Sequence, residues 1–189
     1  MKGSAAAEPQ KLLREAAAWR LASLLLERPR AEWQQEMEQL SSEANDKELS
    51  SCVKKAIHAT EEIYHRCFGP GGAVSPREVS YCGFADPGRL MAELNSFYRA
   101  FSYQPIREEP IDHISVETGF VGYLFLKEAY AEQRGSSEDA DITKNARKRF
   151  IAEHVSHCAS GIADRLKDSP LYFNKVFSWL IGKAQTASR

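Results

Sequence analysis

Apolar side chains recur every three or four positions along most of this chain, the spacing of a helix face and not of a strand. Leu12, Leu13, Ala16, Trp19, Ala22, Leu24 and Leu26 predict a helix from Glu8 to Glu27. Pro9 fits its first turn, and Arg28-Pro29 ends it, because a residue before proline is pushed out of the helical region. Trp33, Met37 and Leu40 predict a shorter helix over 31–40, and the polar stretch 41–46 reads as a turn. Asp46 then suits the N-cap of a long helix from Lys47 to Phe68.

Gly69-Pro70-Gly71-Gly72 breaks the pattern and opens a loop to Ala85. At about 17 residues it exceeds the usual connection, and long loops tend to be functional. Asp86-Pro87 restarts a helix carrying Leu90, Met91, Leu94, Phe97, Tyr98 and Phe101. A second irregular segment, Ser102 to Asp112, is kept extended by Pro105 and Pro110. Asp112 reads as the N-cap of a strongly apolar helix to Gln133. Gly119 and Gly122 inside it predict close approach by a neighbouring backbone, since each costs about 1 kcal/mol against Ala in an exposed helix. Gly135 to Asp141 reads as an exposed turn, followed by a helix from Ile142 to Lys167 and a last one capped by Ser169-Pro170. The expectation is an all-α fold of about seven or more helices, one domain over 1–189, with no internal repeat. An N-terminal lobe (8–102) and a C-terminal lobe (113–187) are joined by a hinge loop over 103–112.

Composition narrows the function classes. A formal net charge of −1 disfavours binding to nucleic acid through overall positive charge. No apolar run approaches the roughly 20 residues of a membrane span, and the N-terminus lacks the apolar core of a secretory signal. Four scattered cysteines, with no C-x-x-C pair, predict free structural thiols in a reducing cytoplasm. The charge is uneven: residues 69–134 hold 6 basic and 9 acidic side chains, whereas 135–189 hold 9 and 6. The acidic middle contains both irregular loops, which favours a basic partner there.

Catalytic signatures are weak. There is no G-x-S-x-G, no H-E-x-x-H, and GPGG lacks the Lys-Ser/Thr of a phosphate loop. His154 and His157 stand three apart on one helix and give at most half a metal site. We therefore expect no catalytic residue, no metal and no cofactor. The densest polar cluster is Glu108-Glu109-Pro110-Ile111-Asp112-His113. It reads either as a capped helix start or as a site facing a cleft, where the helix N-terminus would lower the proton affinity of His113. The aromatic residues Phe97, Tyr98, Phe101, Tyr103, Phe120, Tyr123, Phe125 and Tyr130 read mainly as core, with some free to line a peptide groove.

Four ordered stretches carry a resemblance: Tyr64 to Pro70, Pro76 to Tyr81, Glu109 to Glu117, and Phe150 to His154 followed by Leu171-Tyr172-Phe173. In order and spacing they resemble the TorD/DmsD/NarJ family of redox-enzyme maturation chaperones over residues 8–185. Cys67, Val79, Gly119 and His157 depart from that family's usual Leu, Ser, larger residue and Trp, which marks a divergent member. The resemblance implies an all-helical cytoplasmic chaperone. Such a protein binds the N-terminal twin-arginine signal peptide of an apo-molybdoenzyme catalytic subunit and holds it until cofactor insertion. Tat translocase components are implied as downstream partners, and a monomer or domain-swapped homodimer as the assembly. Some relatives are implied to bind guanine nucleotide, for which no loop is visible. The alternative is a NarJ-type chaperone for a subunit retained in the cytoplasm.

Carboxylates accept arginine through two parallel hydrogen bonds, so Glu78, Glu108, Glu109, Asp112 and Glu117 are the acidic candidates. Tyr64, Phe68, Tyr81 and Phe120 are the apolar candidates, His113 would orient Asp112 or bond the peptide, and Gly69, Pro70 and Pro110 would shape the rim.

Overall fold

The structure, a computed structural model, describes residues 7–83, 86–105, 109–166 and 172–187. Its helices are α1 (Ala7–Leu25), α2 (Trp33–Ala44), α3 (Lys47–Ala56), α4 (Glu61–Phe68), α5 (Pro87–Ala100), α6 (Ile114–Gln133), α7 (Ser137–Phe150), α8 (Ser156–Arg165) and α9 (Phe173–Ala187). A 3-10 turn lies at Glu78–Ser80, and a π-turn at Ile151–Val155 joins α7 to α8. No β-strand occurs among the described residues; one isolated antiparallel bridge pairs Arg77 with His113. No helix of the described residues is long and apolar enough to cross a membrane.

Helices α1 and α6 are buried on nearly every side and form the centre of the fold. Their contact depends on the two glycines of α6. A Cβ on Gly122 would stand 3.1 Å from the Ala16 carbonyl and 3.2 Å from the Arg20 nitrogen, and one on Gly119 would stand 3.0 Å from Tyr103 Oη. At Gly122 the backbones approach as the sequence predicts; at Gly119 the close neighbours are instead side chains, Tyr103 Oη and Ser23 Oγ. We expect Gly122→Val to destabilise the protein by about 1–3 kcal/mol through overpacking. Gly182→Ala on α9 should stabilise it by roughly 0.5–1 kcal/mol, because nothing lies within 4 Å of the added methyl. Urea denaturation of both variants checks the opposite signs.

One hydrophobic cluster runs from Leu12 to Ala184 and takes side chains from both sides of residues 103–112. Trp19 of α1 packs edge-on against Trp179 of α9, with centroids 5.3 Å apart. Trp33 Nε1 donates to the Leu24 carbonyl at 2.7 Å, a second bond to an acceptor that the Glu27 nitrogen engages at 3.1 Å just past the end of α1. Asp46 caps α3 through Oδ1, and its Oδ2 accepts from Trp179 Nε1 at 2.9 Å. Asp86 caps α5, accepting from the Gly88 nitrogen at 2.8 Å, with Pro87 in the first turn.

Five boundaries differ from the sequence reading. Helix α2 continues through 41–44 and stops at Asn45, whose φ of 50° is left-handed. The helix expected over 47–68 is two helices. Thr60 caps α4, accepting from the Ile63 nitrogen at 3.3 Å, and Glu61 and Glu62 in its first turn favour that start electrostatically. The turn expected at 135–141 is already α7 from Ser137. The π-turn interrupts the helix expected from 142 onward. At α6 the cap is His113 and not Asp112: His113 Nδ1 accepts from the Ser115 nitrogen at 3.2 Å. Ser169-Pro170 and Leu171 lie outside the described residues.

Candidate functional site

The loop after α4 forms a strap, residues 69–83, that starts on the helix it leaves. The Gly69, Ala73 and Val74 nitrogens donate to the carbonyls of His65, Arg66 and Cys67, at 2.9, 3.0 and 2.9 Å, so the last turn of α4 is capped by its own continuation. Gly72 is required there, because a Cβ would lie 2.8 Å from the Cys67 oxygen. The strap then pairs with residues 110–114. The Glu78 nitrogen donates to the Asp112 carbonyl and the Ile114 nitrogen to the Pro76 carbonyl, both at 2.8 Å.

Asp112 is fully buried, and Arg77 reaches it through Nε at 2.9 Å and Nη2 at 2.8 Å. Its Oδ2 also accepts from the Val79 nitrogen at 3.4 Å. That pairing engages the carboxylate expected to cap α6. Glu78, 2% exposed, points inward and accepts from His154 Nδ1, 3.1 Å from each of its oxygens. Beside it Glu117 is fully buried. With both carboxyls ionised neither Glu117 oxygen has a hydrogen-bond partner, and its neighbour is the Glu78 carboxyl. Two carboxyl groups bond each other only when one keeps its proton. Burial first, and the Glu78 charge second, push Glu117 well above the ordinary carboxylate range, so it is the protonated partner.

Opposite this buried cluster the strap borders an open cleft of about 730 Å³. Its walls are Pro29, Pro70, Pro76 and Pro110, and Tyr64, Phe68 and His113 lie among them. Prolines carry no N–H, so those walls offer apolar surface and carbonyl acceptors from rigid backbone. Glu61, exposed, and Glu109, half-buried, bring carboxylates, while Arg28 and His65 bring basic groups. Glu27 is held by Arg20, and Arg30 by Glu36, at 2.5 Å each. His113 Nδ1 accepts from Ser115, so its proton sits on Nε2, which donates to Tyr64 Oη at 3.2 Å. Burial holds the His113 pKa down at about 4, so the ring is neutral near pH 7.

The cleft thus brings together Tyr64, Phe68, Gly69, Pro70, Glu109, Pro110 and His113 from the sequence candidates. Glu78, Asp112, Glu117 and Phe120 do not line the cleft and are buried, at 2%, 0%, 0% and 0% exposure, so they do not meet a ligand there in this conformation. Tyr81 packs elsewhere, over Gly161 of α8 with Arg165 above its ring. Glu108 lies outside the described residues. The sequence reading missed Glu27 to Arg30, Glu61, His65 and Pro76. The signal for the first group was the Arg28-Pro29 helix stop; Glu61 was hidden inside a helix read as continuous. His154 and His157 do not converge: His154 turns inward to Glu78, whereas exposed His157 donates from Nε2 to the Tyr81 carbonyl at 2.6 Å. No cluster of His, Cys, Asp and Glu suited to a metal occurs among the described residues.

The described residues thus form an all-helical domain with a proline-walled cleft between a strap and a helix start. The chain belongs to the nitrate reductase delta subunit family, whose pattern matches residues 26–161. This is a family of molybdoenzyme assembly chaperones of the TorD/DmsD/NarJ group, and not of catalysts. The matched stretch runs from the end of α1 into α8 and includes every residue of the cleft. No curated protein and no solved structure gave a match.

Proposed function

We propose that this chain is a cytoplasmic assembly chaperone that holds the N-terminal segment of a molybdoenzyme catalytic subunit in the cleft until the molybdenum cofactor is inserted. The supporting observation is the cleft itself, where Tyr64 and Phe68 adjoin open carboxylates under proline walls, within the matched stretch. The aromatic rings would take apolar side chains of the client, and Glu61 and Glu109 its basic groups. Tyr64 keeps its hydroxyl neutral, because burial raises its pKa, and it can both donate and accept.

The delta subunit family favours a client retained in the cytoplasm. A second reading, an exported client with a full twin-arginine signal later passed to the Tat translocase, draws on the Glu61 and Glu109 carboxylates, which suit guanidinium forks. Titration with a synthetic peptide of the client N-terminus tests both. Tyr64→Ala, at the aromatic floor, should weaken binding by about 2 kcal/mol or more, as anchors in buried pockets do. Glu61→Gln, at an exposed position, should weaken it by only about 0–1 kcal/mol. Replacing a client Arg-Arg by Lys-Lys should lower affinity for the exported client and leave the retained one unchanged. Binding untouched by Tyr64→Ala would show that the client does not occupy the cleft.

A further inference from the structure

Besides its pairing with Asp112 through Arg77 and the Glu78 and Val79 nitrogens, the strap is fastened at two further places that a ligand in the cleft would not touch. Inside, Glu78 fills a socket made by Glu117 of α6 and His154 of the π-turn. His154 is itself packed edge-on to Phe97, with centroids 5.6 Å apart, and its Nε2 has no partner. Outside, the Tyr81 ring lies so close on α8 that a Cβ at Gly161 would clash with its Cδ1 and stand 2.8 Å from its Cγ. Tyr81 Oη donates to the Ser75 carbonyl at 2.6 Å, and Arg165 covers the ring at 5.0 Å. Between these points the strap contributes little apolar burial of its own: Val74 is its buried hydrophobic residue, and Val79, Tyr81 and Cys82 are partly buried. Yet it supplies Gly69, Pro70 and Pro76 to the cleft, and its hydrogen bonds to Asp112 and Ile114 set the segment that supplies Pro110 and His113.

A buried carboxylate is a costly way to fasten a loop. An apolar side chain at position 78 would fill the same volume at lower cost. What the carboxylate adds is direction, because it satisfies the His154 N–H and the Glu117 proton at once and fixes the strap in one register. We infer that Glu78 is a positioning residue of the cleft, holding the strap and its prolines as a preformed wall through the Glu117–His154 socket. The inference rests on the cleft being the client site.

Two measurements separate the inference from that reading. The first is hydrogen exchange without any peptide. In Glu78→Ala the strap amides, including that of residue 78, should lose protection about tenfold or more, as expected of a local opening. Those of α1 and α9 should keep theirs. In Glu78→Gln the amide oxygen can accept from His154 and the amide nitrogen can donate to Glu117, so protection should return. The second is client-peptide affinity, which should fall about tenfold in Glu78→Ala through lost preorganisation and return to within about threefold in Glu78→Gln. Gly161→Ala gives an independent handle, since alanine is the better helix former and α8 should stay folded while Tyr81 is displaced. It should also weaken binding. Unchanged strap exchange in Glu78→Ala would overturn the socket. Loosened exchange with unchanged affinity in both variants would overturn the positioning role. A wild-type protein that binds no client peptide would instead overturn the proposed function, while exchange still decides the socket.

Discussion

Glu117→Gln should be more stable than the wild type at neutral pH, with a margin that widens as pH rises from the ordinary carboxylate range toward the raised folded pKa of Glu117, by at most about 1 kcal/mol per pH unit. The sign follows from the direction of the shift. A carboxyl whose folded pKa is raised contributes stability at low pH, which is lost as pH rises from the unfolded pKa through the folded one. Glu117 is such a group, raised first by burial and then by Glu78, with Asp112 and Cys82 adding to it. Tyr98 from α5 and Cys158 from α8 face the same carboxylates and are held neutral by burial. Glutamine keeps the donor that Glu78 accepts and removes the proton that unfolding would release. The slope belongs to the Glu78–Glu117 pair and not to one carboxyl. His113 works in the opposite direction: its pKa is lowered from 6.5 to about 4, so its contribution is present above 6.5 and lost as pH falls through about 4. In the wild type the two slopes oppose each other between the carboxylate range and pH 6.5, and the variant should uncover the His113 slope alone. Urea denaturation from pH 5 to 8 reads the difference; parallel curves for variant and wild type would contradict the buried acid.

Glu128→Ala should destabilise the protein by about 3–5 kcal/mol. Arg147 Nε and Nη2 both donate to Glu128 Oε2, at 2.9 and 2.7 Å, with both side chains nearly excluded from solvent. The guanidinium also stacks 3.8 Å from the Phe125 ring centroid. Removing the carboxylate strands a cation between α6 and α7, and that desolvated charge is the origin of the cost. Replacing both residues by apolar side chains of similar volume should cost far less, or nothing. A loss below about 1 kcal/mol for Glu128→Ala would place the pair in water and not in the core.

Local chemistry was the legible part of the sequence. Asp46 and Asp86 cap the helices assigned to them because a cap needs only its own next three residues. The Gly119 and Gly122 contact was legible too, since a glycine weakens an apolar helix unless a neighbour fills the space its missing side chain leaves. The break between α3 and α4 was not, because the apolar period runs on through Ile57 and Ile63 and conceals the Thr60 cap. Nor was the choice between Asp112 and His113 at the start of α6. Arg77, 35 positions earlier, settles it by engaging Asp112, and no local rule sees that distance. The same limit explains the site. Tyr64 to Pro70 and Glu109 to His113 were found as contiguous motifs and do meet at the cleft. Glu78 and Glu117 are carboxylates by type and read as acceptors for arginine, but burial turns one toward a histidine and keeps a proton on the other. The charge count also misled in part: the acidic middle segment buries Glu78, Asp112 and Glu117 inside the protein, and Arg28 and Arg30 enter the cleft from α1's end, so the cleft is mixed in sign.

In the proposed function the cleft holds a molybdoenzyme subunit before its cofactor arrives. The most direct measurement is the molybdenum content of the catalytic subunit that co-purifies with this chain from its native cells, for the wild type and for Tyr64→Ala. The wild type should yield a complex whose subunit is nearly free of molybdenum, and the variant little or no complex. A captured subunit carrying its full molybdenum, or equal capture by Tyr64→Ala, would contradict the proposed function.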